Sequence, residues 1–306
     1  MGTPVFAATV LERLIEENHK VVLVVSQPDR PVGRKKEMHA TPVKKVATKN
    51  CIPVFAPEKI RDSYEKIVAA NPDLIITAAY GQIIPKAVLD IPQLGCINVH
   101  ASLLPKYRGG APIHQAVIDG ESVTGITIMY MDVTMDTGDI ITQATTPITD
   151  DDDTGTLFER LAVVGADLLI QTLPSIKAQT NSRTKQDESK VSYAYNITRE
   201  QELIDWQQPQ QKIFNKIRGL NPFPTAYTTI NNYNVKVFKS EKLVNTTNQV
   251  PGTIVSVSHN GIGVASDDGL VLRLTEVQLA GKRRMPLRDL LNGEHPFEIG
   301  SKFGGM

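Results

Sequence analysis

The feature that most restricts this chain is a change of pattern along it. Up to about residue 178, unbroken apolar runs alternate with stretches of helical spacing. Beyond about residue 198 only short runs remain, separated by Gly, Asn and Asp. Residues 21–25 (VVLVV) and 74–78 (LIITA) are continuous apolar runs, and a third, from Cys96, ends in Asn98-Val99-His100. Runs of that kind fit strands buried on both faces, the habit of parallel sheets. Between them, Val10, Leu11, Leu14 and Ile15 share one helical face. Residues 41–50, 57–70 and 112–119 also read as helices, and Thr156-Leu157-Phe158-Glu159 has the spacing of a capping box. The alternation predicts an α/β first domain, a doubly wound, mostly parallel sheet flanked by helices.

Residues 177–190 (KAQTNSRTKQDESK) lack large apolar side chains and read as a linker. The expected layout is therefore a first domain over 1–178, a linker over 179–198 and a second domain over 199–306. In the second, residues 235–238, 253–257, 261–265 and 270–274 read as the strands of a small antiparallel β-barrel.

A length of 306 residues agrees with two domains. The 33 basic residues balance the 33 acidic ones, so any contact with nucleic acid must come from local patches. From Arg199 onward there are 13 Lys and Arg against 10 Asp and Glu, with Lys282-Arg283-Arg284 the sharpest cluster. A second basic stretch, Arg30, Arg34, Lys35 and Lys36, is opposed only by Asp29. Each reads either as a solvated turn or as a phosphate contact. Cys51 and Cys96 are the only cysteines, both in or beside apolar runs, and are expected to be reduced and packed. No metal-ligand spacing occurs, and no metal is expected. No run of 18 apolar residues and no signal peptide is present, so the expected location is the cytoplasm. There is no G-x-G-x-x-G after a strand, no G-x-x-x-x-G-K-[ST] and no G-x-S-x-G, which leaves dinucleotide, nucleotide-hydrolysing and serine-hydrolase readings without their motifs.

The chemistry concentrates in residues 96–112, CINVHASLLPKYRGGAP. Strand alternation puts Asn98 and His100 on one face, at a strand's carboxyl end, where open α/β sheets bind ligands. A tight acidic loop, Asp132-Val133-Thr134-Met135-Asp136-Thr137-Gly138-Asp139, follows the strand at 124–131. The four aspartates at 150–153 precede a helix and read as capping and solvation. His114, on a helix, reads as structural.

Taken together, the Asn-x-His pair, SLLPxxRG and the later Asp-x-Gly resemble the folate-dependent formyltransferases. Further matches are PDRPVGR, AYGQIIP, MDTGDI, IDW and RGLNPFP, so the resemblance spans almost the whole chain. It implies a Rossmann-type catalytic domain followed by a C-terminal domain with an OB-like fold. It implies transfer of a formyl group from 10-formyltetrahydrofolate to an amine, with Asn98, His100 and Asp136 as catalytic residues. Ser102, Leu103, Leu104 and Pro105 would form the folate-contacting loop, and the turn at 79–85 would line the pterin pocket through its backbone. In the family a short apolar strand ends in Met-Gly-Thr-Pro, so a late start and a shortened first strand are expected here.

Several branches share this core. Sugar-nucleotide formyltransferases and formyltetrahydrofolate hydrolase domains are the nearest alternatives, while glycinamide ribonucleotide transformylase ends after the catalytic domain. A non-catalytic RNA-binding protein on the same scaffold would not need Asn98, His100 and Asp136 together. The basic loop and the second domain favour the branch whose amine is that of initiator methionyl-tRNA. By that resemblance Arg30, Arg34, Lys35 and Lys36, with Lys282, Arg283 and Arg284, would contact tRNA, Arg34 being the recognition arginine. The family usually works as a monomer.

Overall fold

The computed structural model describes residues 1–32, 37–231 and 233–304. The chain divides into two compact units. One comprises Met1–Pro112, Val123–Pro147 and Phe158–Tyr195, the other Ile113–Ser122, Ile148–Leu157 and Asn196–Met306.

Up to residue 177 the elements run α1 (Val5–Glu16), β1 (Val24–Val25), β2 (Arg30–Val32), β3 (Glu37–His39), α2 (Pro42–Lys49), β4 (Val54–Phe55), α3 (Glu65–Ala70), β5 (Ile75–Thr77), α4 (Lys86–Leu89), β6 (Cys96–His100), α5 (Pro112–Ile118), β7 (Val123–Tyr130), β8 (Ile140–Pro147) and α6 (Thr154–Lys177). β1 pairs with β4 and β5 with β6, both parallel, as the apolar runs required. From β6 the sheet turns antiparallel through β7 and β8, while β2 and β3 form a separate hairpin.

Between β1 and β5 the backbone ladder consists of Met1 and Gly2. Gly2 N–H donates to Val25 O at 2.9 Å and Ala78 N–H to Met1 O at 3.0 Å. The terminal ammonium of Met1 donates to Ile76 O at 2.6 Å. Beyond this bridge a groove of about 710 Å³ runs between the two parallel pairs, lined by residues that include Val10, Leu11, Leu14, Leu23, Leu74 and Ile75. Residues 21–23 face the groove on one side, and Val22 is 37% exposed.

Three further details differ from the sequence expectation. Only residues 65–70 of the 57–70 stretch are helical; ahead of them Ile60 N–H donates to the Gln82 side-chain oxygen at 2.8 Å. The capping box of α6 is Asp153 with Thr156: Thr156 N–H donates to Asp153 Oδ1 at 2.8 Å, and Asp153 N–H to Thr156 Oγ1 at 3.1 Å. Cys51 is exposed just past α2, with φ +56°, so only Cys96 is packed. Burial pushes the Cys96 thiol up to about 12.

The second unit contains α7 (Gln210–Gly219), β9 (Ala226–Ile230), β10 (Tyr233–Thr246), β11 (Ile254–Ser258), β12 (Gly261–Ala265), β13 (Leu270–Leu279), β14 (Met285–Pro286) and α8 (Leu287–Leu290). Its strands form one antiparallel sheet in the order β11-β12-β13-β10-β9, with β14 added to β13. Trp206, Ile213, Ile217, Val235, Leu272 and Leu274 belong to its core. Trp206 keeps its indole N–H satisfied by Thr228 Oγ1 at 3.0 Å. Among the described residues no helix is long and apolar enough to cross a membrane.

Candidate active site

The site is built at the carboxyl end of β6. Asn98 pairs with Thr77 of β5 and with Met129 of β7, and His100 pairs with Thr127 of β7, so Asn98 is fixed from two sides and His100 from one. Asn98 is half-buried, and its Oδ1 accepts from Thr77 Oγ1 at 2.8 Å. That contact orients the amide and leaves Nδ2 as an uncommitted donor among the described residues. His100 is 5% exposed. Its Nε2 lies 3.0 Å from Tyr107 O. A carbonyl only accepts, so Nε2 carries a proton and Nδ1 is the ring atom left for chemistry.

Nδ1 faces Asp136 Oδ2 at 3.8 Å. The spacing is too long for a direct hydrogen bond, and a single polar atom placed beside both could bond to each. Asp136 sits in the left-handed region at φ +54°, and its Oδ2 accepts from Gly109 N–H at 2.8 Å. Gly109 has φ +123°, and a Cβ there would lie 2.5 Å from Ala194 O. Residues 107–109 thus hold both partners, the imidazole through a carbonyl and the carboxylate through an N–H.

Ser102 is fully buried, and its hydroxyl donates to Lys106 O at 2.7 Å. Thr127 Oγ1 donates to Ser102 O at 2.7 Å and accepts from Leu104 N–H at 3.1 Å. Gln143 Nε2 closes the loop on Leu104 O at 2.9 Å. The Ser102 hydroxyl therefore shapes the loop from inside, and Leu104 is also buried, whereas Leu103 and Pro105 keep accessible surface. On the turn after β5, Ile84 is packed but Ile83 is 87% exposed. Val133 and Met135, on the loop that carries Asp136, are also exposed.

The basic residues divide. Arg30 is exposed on β2 and pairs with Glu58 at 3.1 Å. Arg34, Lys35 and Lys36 lie outside the described residues. Lys282 and Arg283 are exposed. Arg284 is engaged within its own unit: it forks onto Glu276 at 2.7 and 2.9 Å and stacks on Phe238. The Arg284 hydrogen bonds hold the Glu276 carboxyl below its ordinary range. His114 Nε2 lies 3.1 Å from Phe223 O, and burial lowers its pKa, in keeping with a structural role.

The polar segment from Thr184 to Ala194, which reads as linker, proves to be part of this site's support. Thr184 exchanges two backbone hydrogen bonds with Ile140, at 2.8 and 2.9 Å, and Ser192 and Ala194 do the same for Arg108 at 2.9 and 2.8 Å. Arg108 itself is 1% exposed, with its guanidinium forked onto Glu188 at 2.8 and 3.3 Å. Those bonds raise Arg108 further and hold Glu188 below the usual carboxylate range. A cleft of about 420 Å³ bordered by Lys86, Cys96, Tyr130 and Arg183 lies at the amino end of β6 and includes none of Asn98, His100 or Asp136. Among the described residues no cluster of three His, Cys, Asp or Glu could hold a metal ion.

Comparison with known proteins shows the family. The model described as "Formyl transferase" matches residues 1–173, and "Formyl transferase, C-terminal domain" matches residues 196–295. The methionyl-tRNA formyltransferase of Halalkalibacterium halodurans is 51% identical over 309 residues, covering 100% of this chain and 98% of that protein. The enzyme of the same name from Bacillus subtilis is 51% identical over 306 residues, covering 99% and 96%. A solved sugar 3N-formyl transferase, WlaRD, crystallised in the presence of dTDP and 5-N-formyl-THF, superposes with a TM-score of 0.68 at 20% identity. The superposition covers 92% of this chain and 97% of that one, a likeness of fold.

Proposed function

Because the chain belongs to the formyl transferase family, we propose that Asn98, His100 and Asp136 carry the transfer of a formyl group from 10-formyltetrahydrofolate to the amino group of initiator methionyl-tRNA. Full-length relatives that are half identical and bear that activity in their names support the reaction. One observation carries the assignment of roles. At the end of β6 a histidine has Nε2 tied to a carbonyl while Nδ1 stands 3.8 Å from a carboxylate that is itself held by a backbone N–H.

The reduced folate, when bound, supplies the formyl carbon. The chain's residues then have three tasks. Asn98 Nδ2 is free to donate to the formyl oxygen as that oxygen gains negative charge. His100 Nδ1 can take the proton that the attacking amine must lose, with Asp136 stabilising the resulting imidazolium. The same ring nitrogen can return that proton to the departing folate nitrogen, so protons balance without an outside acid or base. Leu103, Pro105 and Ile83 keep apolar surface that a flat ring system would cover, which fits them to the folate. Lys282 and Arg283 remain available for the tRNA backbone, as does Arg30 once its exposed pair with Glu58 opens. Initiator tRNA is used in translation, so the reading places the enzyme in the cytoplasm.

The deciding assay follows formyl transfer to initiator and to elongator methionyl-tRNA. Transfer to the initiator is expected, with His100→Ala and Asp136→Ala each lowering the rate by on the order of 100-fold or more while tRNA still binds. Near-normal turnover in either variant, or no transfer by the unaltered chain, would overturn the assignment.

A further inference from the structure

Nothing in the reaction chemistry calls for a glutamine at 186, yet this side chain is 9% exposed and has every hydrogen-bonding atom of its amide in use. Its Nε2 donates to Asp136 O at 2.8 Å and to Gly138 O at 2.9 Å. Its Oε1 accepts from Arg108 Nε at 3.0 Å. Arg108 is in turn locked by Glu188, and the next residue, Gly109, supplies the N–H that holds the Asp136 carboxylate.

Asp136 is therefore gripped twice, at its carboxylate by Gly109 and at its backbone by Gln186. The second grip matters because Asp136 occupies the left-handed region at φ +54°. A non-glycine residue stays there only when its surroundings over-determine it. The two carbonyls that Gln186 holds flank Thr137 and fix the bend that aims Asp136 at His100. The amide also joins that bend to the 107–109 turn, which anchors His100 through Tyr107 O. One side chain thus couples the two loops whose separation sets the 3.8 Å spacing between Nδ1 and Oδ2.

We propose that Gln186 is a positioning residue for formyl transfer, holding Asp136 at its working distance from His100. The proposal rests on the assignment of Asp136 and His100 to the transfer site. Two substitutions separate its hydrogen bonds. Gln186→Met keeps the shape and removes all three. Gln186→Glu keeps the acceptor for Arg108 but, ionised, cannot donate to the two carbonyls.

The test measures kcat, the KM for methionyl-tRNA, the pH dependence of kcat and the Tm for both variants, with Asp136→Asn as reference. A displacement of about 1 Å at a reacting group can cost on the order of 100-fold in rate, so both Gln186 variants are expected to lose about 10- to 100-fold in kcat. Their KM for tRNA should be unchanged, and their pH–rate profiles should move in the same sense as that of Asp136→Asn. A structural role alone would lower Tm and the active fraction but leave the shape of the profile intact. Should Gln186→Met fail to fold, Gln186→Glu alone decides. Full kcat in Gln186→Glu, or a profile that stays in place, would overturn the proposal while leaving the site assignment standing. An unimpaired Asp136→Asn would overturn both.

Discussion

Replacing Gly138 by alanine should damage catalysis far more than the addition of one methyl group suggests. A Cβ at Gly138 would lie 1.9 Å from Tyr130 O and 2.8 Å from Tyr130 C, where ordinary contact begins at 3.4 Å. Relief therefore needs a displacement of about 1.5 Å, the difference between 3.4 and 1.9. Tyr130 cannot supply it. It ends β7, pairs with Ile97 of β6, and donates its N–H to Asp139 O at 2.9 Å. The loop must move instead, and Asp136 lies two residues upstream of the clash. If about two-thirds of the shift reaches its carboxylate, the misplacement is about 1 Å and the expected loss in kcat is on the order of 100-fold. The accompanying cost in stability is about 1–3 kcal/mol, as for other overpacked sites. Formyl-transfer rates at saturating substrates give the first number and thermal or urea unfolding the second. Gly281→Ala is the control. Its φ is +78° but no atom lies within 4 Å of the new methyl, so it should cost stability and leave kcat alone. A Gly138→Ala enzyme with kcat within about twofold of the parent would refute the claim that the loop is sterically set by β7.

A further outcome follows from charges described above. On the second unit, Lys282→Ala combined with Arg283→Ala is expected to raise the KM for tRNA and leave kcat unchanged. It should also flatten the salt dependence by about one unit of slope for each phosphate no longer neutralised. An unaltered slope would remove these two residues from the tRNA surface.

What could be read in the sequence was whatever repeats locally. The unbroken run into Asn98-Val99-His100 identified the strand, and the face shared by Asn98 and His100 that carries the candidate site, because a strand's alternation depends only on its own residues. The helical face of Val10, Leu11 and Leu14 was legible for the same reason, and all three are buried. Gln186 was not. Its three partners lie 48 to 78 residues away, and a polar side chain bonded to distant carbonyls leaves no period in its own neighbourhood. The 57–70 stretch is helical only from Glu65, and the contact of Ile60 N–H with Gln82, 22 residues on, leaves no trace in the local pattern. Arg284 read as one of three equivalent cations until Glu276 and Phe238, supplied by other strands, distinguished it.

The break between β1 and β5 has a bearing on how the first unit breathes. In a continuous sheet each ladder reinforces the next, and opening one strand exposes the whole. Here β1 and β4 are joined by two residue pairs and connect to the backbone of β5 through Met1 and Gly2. The side chains compensate: Val25 of β1 shares one buried core with Ile75 of β5 and Cys96 of β6, and Phe55 of β4 packs against it, so this seam is held by apolar packing more than by its ladder. The residues that would do the chemistry lie on the other side of that break, on β6 and the loops anchored to it. The spacing between His100 and Asp136 is set by hydrogen bonds within those loops, and an opening of the β1–β4 ladder breaks none of them.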